Sequence, residues 1–331
     1  MKLRIATRKS PLALAQTRWV AERIRAHAPH VEVEELQLVT EGDRVLDVPL
    51  AKVGGKGLFV TEVERALVEG QADIAVHSLK DVPEQLAAGM IIACIPERED
   101  PRDVLVSAEG TELMSLEAGV RVGTSSLRRA IQLRAQRSDV EIAVLRGNVG
   151  TRLRKLDEGH YGAILLAYAG LKRLELDRDR KLWPVPIDVS IPAVGQGALA
   201  IEARVGDAAT LALLAPLEHS ETRIAVEAER AYLETLHGSC TTPLACHARF
   251  EAGRFRVDAM VGSLDGGTIL LAGTDEQLRG DVAAQRAAAR RIGIEIAERQ
   301  LASGAKKIVE NARSGGDPYA HGLYSGYGRG S

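Results

Sequence analysis

The chain has 331 residues, of which 45% are hydrophobic and 27% are charged, proportions that are typical of an ordinary globular protein. Its 43 basic and 45 acidic residues give a net charge of −2, which argues against a globally basic surface for nucleic acid or an anionic membrane. An aromatic content of 3% argues against stacking platforms for single-stranded nucleic acid.

Further exclusions follow from the apolar runs and the cysteines. No run of about 18 apolar residues occurs, so we expect no membrane span. The stretch Met1-Lys2-Leu3-Arg4-Ile5 enters a strand pattern directly, so we expect no signal peptide. Three cysteines without close pairing favour a reducing cytoplasm over a disulfide framework. The length predicts two or three domains.

Strand and helix patterns alternate through the first half of the chain, which favours mainly parallel, doubly wound α/β sheets. Strands are predicted at 3–7, 31–39, 72–76, 90–95, 120–122, 140–145 and 163–167, and helices after Ser10-Pro11 and at 58–69, 124–137 and 149–158. Residues 40–57 form a long predicted loop that contains Gly54, Lys52 and Lys56. A loop of this length is more often a lid or a binding loop than a plain connection.

Two stretches indicate crossings between domains: the charged run 97–103 and the Pro/Gly-rich run 183–197. We therefore predict that the chain leaves its first domain and later returns to it. From about residue 217 the pattern changes to a helix, three strands and a helix, at 220–236, 244–250, 254–261, 268–272 and 279–302. The predicted domains are 1–96 with 196–216 (α/β), 97–195 (α/β) and 217–313 (α+β), followed by a flexible Gly/Tyr-rich tail at 314–331.

Three predicted strand-to-helix turns combine a capping side chain, free backbone N–H groups and arginine. They are Arg8-Lys9-Ser10-Pro11, Gly123-Thr124-Ser125-Ser126-Leu127-Arg128-Arg129 and Arg146-Gly147-Asn148-Val149-Gly150-Thr151-Arg152. Helix amino termini bind anions, and guanidinium groups form bidentate hydrogen bonds with carboxylates or phosphates. For any one turn taken alone, ordinary capping with a surface arginine is the favoured explanation. Together with Lys52, Lys56 and Lys80, the three turns predict a ligand with several negative groups.

The glycine patterns do not indicate a nucleotide. The spacing of a P-loop is absent around Gly54-Gly55-Lys56-Gly57, and no Gly-x-Gly-x-x-Gly follows the first strand. Gly195-Gln196-Gly197 is only a glycine pair at a crossing.

The strand pattern Ala72–Val76 leads into Lys80 and Asp81, with Pro83 two residues further on. Ligands of open α/β sheets bind outside the carboxyl ends of strands, which would place both charges at a binding edge. A solvated turn with an incidental charge pair is the alternative.

The cysteines separate by context. Cys94 lies in an apolar strand and Cys246 alternates with core positions, so both are predicted to be buried. Cys240 lies in a loop of small and polar residues, where an accessible thiol can be a nucleophile, an attachment point or simply a free surface cysteine. A zinc site that adds His237 and His247 is disfavoured because strand alternation sends Cys246 and His247 to opposite faces. A Cys–His hydrolase lacks an orienting acid near His237.

From Leu3 to about Asn311 the chain resembles the porphobilinogen deaminase (hydroxymethylbilane synthase) family. The resemblance rests on six segments in order: Arg4–Arg8, Leu50–Phe59, His77–Pro83, Gly123–Arg129, Arg146–Arg152 and Pro192–Gly197. It implies a transferase of haem biosynthesis that joins four porphobilinogen molecules head to tail and releases ammonia each time. It also implies a dipyrromethane cofactor held by a thioether to the matching cysteine, Cys240. The loop reads Gly-Ser-Cys, where many members have a second glycine.

The resemblance also implies roles for individual residues. Cofactor carboxylates would be held by Lys80, Thr124, Ser126, Arg128 and Arg129, and the substrate and growing chain by Arg8, Ser10, Arg146 and Arg152, with Ser125, Asn148 and Gln196 in the same binding set. Asp81 would be catalytic: it would bind pyrrole N–H groups, offset positive charge on the rings and move protons. Lys52, Lys56 and Phe59 would belong to a mobile lid.

The implied fold is two α/β domains that resemble periplasmic-binding-protein lobes, plus a third, small α+β domain that carries Cys240. The enzyme is expected to be cytoplasmic and monomeric, without metal, nucleic acid or membrane partner. A non-catalytic anion-binding protein with the same two-lobed fold is the alternative. It would leave Cys240 without a function, and a periplasmic one would need a signal peptide.

Overall fold

The computed structural model describes residues 1–40, 60–178, 180–239, 242–313 and 319–325. Contacts between residues divide the chain into two compact units. Unit 1 comprises Met1–Glu99 and Gly197–Arg223, and unit 2 comprises Asp100–Gln196 and Ile224–Ser331.

The described strands are β1 (Lys2–Arg8), β2 (Glu32–Leu38), β3 (Ile74–Ser78), β4 (Met90–Cys94), β5 (Asp103–Ser107), β6 (Arg121–Gly123), β7 (Glu141–Ala143), β8 (Ala163–Ala167), β9 (Trp183–Pro184), β10 (Leu199–Arg204), β11 (Leu244–Glu251), β12 (Arg254–Gly262) and β13 (Ile269–Glu276). The described α-helices are α1 (Pro11–His27), α2 (Thr61–Val68), α3 (Leu127–Gln136), α4 (Val149–Asp157), α5 (Tyr168–Arg173), α6 (Ala208–Leu214), α7 (Ser220–Thr235), α8 (Val282–Gln300) and α9 (Lys306–Arg313).

Unit 1 is built on a five-stranded sheet of order β2-β1-β3-β10-β4. Strand β1 runs parallel to β2 and β3, whereas β10 is antiparallel to both of its neighbours. The chain thus leaves this sheet after β4 and returns to it as β10. Ile5 and Ile74 from the sheet and Ile24 from α1 are fully buried in one core, as expected for strands that helices cover.

Unit 2 contains two sheets. The first has the order β7-β6-β8-β5-β9, with β6 parallel to β7 and β8, and β5 antiparallel between β8 and β9. The second is the antiparallel sheet β11-β12-β13. Apolar side chains of α7 and α8, such as Tyr232 and Ile296, form a core with Phe255 of the second sheet.

The predicted fold class is confirmed: two α/β sheets are followed by a smaller α+β part. The sheets are mixed rather than purely parallel, since β5 and β10 each run against their neighbours. Strand β5 starts at Asp103, inside the charged run that the sequence predicts to be a crossing, because the apolar residues Val104–Val106 continue directly from it. The predicted domain limits at residues 96, 195 and 217 stay a prediction.

The prediction of a flexible tail is wrong for residues 319–325. Tyr319, Leu323 and Tyr324 are 5%, 0% and 3% exposed and belong to the core of the first sheet of unit 2. The Ser325 N–H donates to the carbonyl of Ile142 in the outer strand β7, at 2.8 Å. Three large apolar side chains within six residues provide enough buried surface to hold this segment.

Within the described residues, the helices are too short or too polar to span a bilayer.

Candidate active site

In unit 1, the carboxyl ends of β1 and β3 lie side by side because the two strands are parallel neighbours. Arg8 ends β1, and Ser10 caps the amino terminus of α1 by accepting the Ala13 N–H at 3.3 Å. Strand β3 runs into a single 3₁₀ turn that contains Lys80 and Asp81. Four sequence-predicted site residues therefore lie at one edge of one sheet.

Buried neighbours and backbone hydrogen bonds hold the turn that carries Asp81 in place. Leu79 and Val82 are buried, the Leu79 N–H donates to the Ala198 carbonyl at 3.0 Å, and the Val82 N–H donates to the Leu79 carbonyl at 3.0 Å. Lys80 is half-buried and Asp81 is exposed. A carboxylate is thus presented to solvent on a backbone that its buried neighbours fix in place.

Sequence reasoning missed a buried pair that joins β3, the strand before Asp81, to its neighbour β10. His77 Nε2 of β3 lies 2.8 Å from Glu202 Oε2 of β10, and the two residues are 7% and 1% exposed. Burial, together with the charge of Glu202, raises the pKa of Glu64 on α2. The pair ties β3 to β10 directly beneath the Asp81 turn.

In unit 2, two capped helices start at the carboxyl ends of the parallel neighbours β6 and β7. Ser126 caps α3 by accepting the Arg129 N–H, and Thr124 Oγ1 accepts the Ser126 N–H at 3.2 Å. Asn148 caps α4, with Oδ1 accepting the Thr151 N–H at 2.8 Å. The predicted capping residues of both turns thus occupy the N-cap positions.

Arg128 and Arg129, predicted to hold cofactor carboxylates, bind a carboxylate of the chain itself. Asp103, at the start of β5, accepts from Arg128 Nη1 and Nη2 at 2.7 and 3.0 Å and from Arg129 Nε at 2.8 Å. Ser190 Oγ and Gln196 Nε2 donate to the same carboxylate at 2.8 and 2.9 Å. Burial opposes the charge of Asp103, but the two guanidinium groups hold its pKa well below the usual range.

Sequence reasoning missed Asp103, although one signal was present. It is an acid at the first position of the apolar strand Val104–Val106, where a charge would be buried without a partner. Because Arg128, Arg129 and Gln196 are 4%, 6% and 2% exposed and engaged at Asp103, their direct contact with a ligand stays a prediction.

Arg146 and Arg152 complete a group of cations in unit 2. Arg152 Nε donates to the Gly147 carbonyl at 2.7 Å. Burial and the charges of Arg129 and Arg146 lower the pKa of Arg152 to about 10. Because the charges of Arg129 and Arg146 disfavour the charge of Arg152, an anionic ligand would be stabilised near these cations.

The segment before the return to unit 1 is anchored by a second buried acid that sequence reasoning missed. Glu229 of α7 accepts the N–H groups of Gly195 and Ala248 at 2.6 and 2.9 Å, and it lies 3.3 Å from His247 Nδ1. Both Glu229 and His247 are buried. Gln196 also donates to the Pro101 carbonyl at 2.7 Å, so the residues around it are fixed by contacts within the protein.

Several predicted residues lie outside the described part of the chain: Cys240, and Lys52, Lys56 and Phe59 of the predicted lid. Close to the cysteine, the Ser239 N–H donates to Thr242 Oγ1 at 2.9 Å and the Thr242 N–H donates to the Ser239 carbonyl at 3.0 Å. A Cβ atom at Gly238 would lie 2.5 Å from Leu244 Cδ2, so a larger residue there would force the Leu244 side chain to shift.

The two other cysteines are buried, as predicted. Cys94 and Cys246 are both fully buried, and burial raises the pKa of the Cys94 thiol to about 12. In the described parts of the chain, no group of three or more His, Cys, Asp or Glu side chains is placed to hold a metal ion.

The fold and these turns define an α/β protein whose helix starts carry clustered cations and whose exposed acid sits at a strand end. A family model described as "porphobilinogen deaminase, dipyromethane cofactor binding domain" matches residues 3–212, and a model for the C-terminal domain of that enzyme matches residues 223–302. A porphobilinogen deaminase of Syntrophotalea carbinolica is 49% identical over 307 residues, which cover 93% of this chain and 95% of the relative.

The chain therefore belongs to the porphobilinogen deaminase family. Members of this family are transferases of porphyrin and haem biosynthesis that carry a dipyrromethane cofactor. The enzyme class, the pathway and the cofactor that the sequence resemblance implied are thereby confirmed.

Solved structures with a similar chain trace are more distant. They include the L-cystine solute receptor of Neisseria gonorrhoeae (12% identity, TM-score 0.37, 65% of this chain and 84% of that chain). The periplasmic aliphatic sulphonate binding protein of Escherichia coli is another (14% identity, TM-score 0.35, 71% and 69%). These TM-scores are too low to support a conclusion about fold or ligand.

Proposed function

We propose that this chain joins four porphobilinogen molecules head to tail into hydroxymethylbilane, with one ammonia released per condensation, starting from a dipyrromethane primer on Cys240. The observation that carries the proposal is the gathering of Arg129, Arg146 and Arg152 at the turns before α3 and α4, where burial and the charges of the other two arginines lower the pKa of Arg152 to about 10. Each pyrrole unit bears an acetate and a propionate, so a growing chain supplies the carboxylates that these cations favour.

The donor set of unit 2 fits the cofactor. Hydroxyl groups at Thr124 and Ser126 stand at the amino terminus of α3, where free N–H groups and the helix dipole favour carboxylates. The arginines of the two turns add charge to these donors. When bound, the cofactor supplies the pyrrole carbon to which the first substrate is joined.

Unit 1 would bind and act on the substrate through the edge formed by β1 and β3. Arg8, Ser10 and Lys80 supply partners for carboxylates of the substrate or the cofactor at this edge. The carboxylate of Asp81 accepts pyrrole N–H groups and offsets the positive charge that develops as ammonia leaves. It also takes up the proton that the ring loses after the new carbon–carbon bond forms. The buried residues Leu79 and Val82 keep this carboxylate in place throughout.

We further propose that the enzyme works as a cytoplasmic monomer on a small-molecule substrate, without a nucleic-acid or membrane partner. A net charge of −2 and a low aromatic content support the absence of a nucleic-acid partner.

Intact-mass spectrometry tests the proposal. The purified protein should exceed its sequence mass by two porphobilinogen units less two ammonia molecules, and C240S should lose this excess. As a matched control, C246A removes a buried thiol that has no proposed role, and it should keep the excess. The protein should also convert porphobilinogen to hydroxymethylbilane.

If the protein keeps its bare sequence mass after incubation with porphobilinogen, the proposed enzyme activity is contradicted. Binding of porphobilinogen without turnover would then favour the non-catalytic anion-binding protein, for which Cys240 has no function.

A further inference from the structure

The described C-terminal segment, residues 319–325, packs onto unit 2 through defined contacts. Leu323 and Tyr324 are buried among the apolar residues of the first sheet. Arg134 Nη2 of α3 donates to the Leu323 carbonyl at 3.0 Å, and the Ser325 N–H donates to the Ile142 carbonyl of β7 at 2.8 Å. These anchors determine where the first residue of the segment lies.

That first residue, Tyr319, bridges the two cationic turns of unit 2. Its hydroxyl group donates to the Ser125 carbonyl, in the turn before α3, at 3.2 Å. The same oxygen accepts from Arg146 Nη2, in the turn before α4, at 3.4 Å. The Tyr319 ring also lies 5.7 Å from the Arg146 guanidinium carbon, within the range of a cation–π contact.

The neighbouring ring supports this placement. Tyr324 meets Tyr319 edge to face, with ring centroids 4.9 Å apart and an interplanar angle of 83°, which is a favoured geometry for aromatic pairs. The Tyr324 hydroxyl is buried without a hydrogen-bond partner among the described residues. Burial raises its pKa, and the charges of Arg129 and Arg146 oppose that rise. Two phenol groups from the C-terminal segment thus lie close to the arginines that the proposed function assigns to carboxylates.

We propose that Tyr319 is a positioning residue for porphobilinogen binding: it holds the Arg146 guanidinium and the Ser125 backbone in the arrangement that receives substrate or chain carboxylates. The inference rests on the proposed function. Arginine has many rotamers, and a residue that restricts them before binding improves affinity without new ligand contacts. Residues 319–325 therefore contribute to substrate binding and do not form a flexible tail.

The variant Y319F tests this role because it removes the bridging oxygen and keeps the ring. We expect the KM for porphobilinogen to rise about five- to tenfold, as for loss of an ordinary intramolecular hydrogen bond, with kcat within about twofold. In the background of R146K, which raises KM by itself, Y319F should add less than about twofold because Tyr319 acts through Arg146. A merely structural role would lower stability without this dependence on Arg146.

Tyr161 offers a matched control in the same unit. Its hydroxyl also donates to a backbone carbonyl, that of Val144 at 2.7 Å, and its ring also lies near an arginine, 5.4 Å from the Arg121 guanidinium carbon. Because Tyr161 touches neither cationic turn through its hydroxyl, Y161F should leave KM unchanged. Deletion of residues 326–331 should also leave KM unchanged, whereas deletion of 318–331 should raise it at least as much as Y319F.

An unchanged KM in Y319F, beside normal wild-type turnover, would overturn this inference and leave the proposed function intact. A KM that falls on deletion of 318–331 would also overturn it, since the segment would then obstruct binding. Wild-type protein that does not turn over porphobilinogen would overturn the proposed function and this inference with it. Y319F is nearly isosteric, so the test stands even where the deletion does not fold.

Discussion

The carboxylate of Asp103 binds the guanidinium group of Arg128 side by side, with Oδ2 at 2.7 Å from Nη1 and Oδ1 at 3.0 Å from Nη2. Both side chains are almost completely buried. Arg129 adds a third charge at 2.8 Å. This relationship fixes the first turn of α3 against the start of β5, and that turn therefore depends on an acid outside the six segments on which the sequence resemblance rests.

The substitution D103N should destabilise the protein by about 3–5 kcal/mol, because it leaves two buried guanidinium groups without their counter-charge. Urea unfolding measures the change. As a control, E295Q breaks the exposed Arg291–Glu295 pair on α8 and should change stability little. Equal stability of D103N and wild type would show that the buried cluster is not a stabilising element.

Stability should also fall in acid because of Asp103. Its pKa is lowered in the folded protein from an ordinary value of 3.8, so its contribution is fully present well above pH 3.8 and is lost as the pH falls through and below that value. The free energy of unfolding of wild type should decrease between pH 5 and pH 3 more steeply than that of D103N. Parallel pH profiles for the two proteins would contradict this assignment.

The variant D81N should keep its fold and its cofactor but lose at least about two orders of magnitude in kcat. The fold should survive because Asp81 is exposed and its turn is held by Leu79 and Val82. Steady-state assays with intact mass separate loss of chemistry from loss of cofactor. E69Q, which neutralises an exposed acid at the end of α2, is the control, and near-normal turnover by D81N would exclude the catalytic role.

The variant R152Q should be more stable than wild type in the absence of ligand and yet bind substrate less well. A folded-state pKa of about 10, below the usual 12.5, means that the charge of Arg152 is disfavoured in the fold at neutral pH. We expect a higher Tm and a KM for porphobilinogen raised at least about tenfold. R154Q, on the exposed face of α4, should change neither quantity. A lower Tm with unchanged KM would show that Arg152 has only a structural role.

Thiol labelling should distinguish the three cysteines. Cys94 and Cys246 are buried, and the pKa of Cys94 is raised to about 12, so iodoacetamide at pH 8 should label neither in the native protein. After unfolding, two of the three cysteines should react, because the thioether blocks Cys240. Unfolded C240S should likewise take two labels. Three labels on the unfolded wild type would show that the thiol of Cys240 is free.

The sequence by itself determined features whose cause lies within a few residues. Ser10, Ser126 and Asn148 were expected at helix starts, and each caps its helix, because a cap is a contact between a side chain and a backbone N–H three residues on. The burial of Cys94 follows in the same way from its apolar strand, and that of Cys246 from strand alternation.

Tertiary structure decided the contacts that join distant parts of the chain. Asp103 meets Arg128 across 25 residues and Gln196 across 93, and Tyr319 reaches Ser125 across 194. Such pairs leave no periodic trace in a single sequence, since each residue alone looks like a surface charge or part of a glycine-rich tail. Their partners become visible only once the strands and helices have packed, and burial then makes every polar group require a partner.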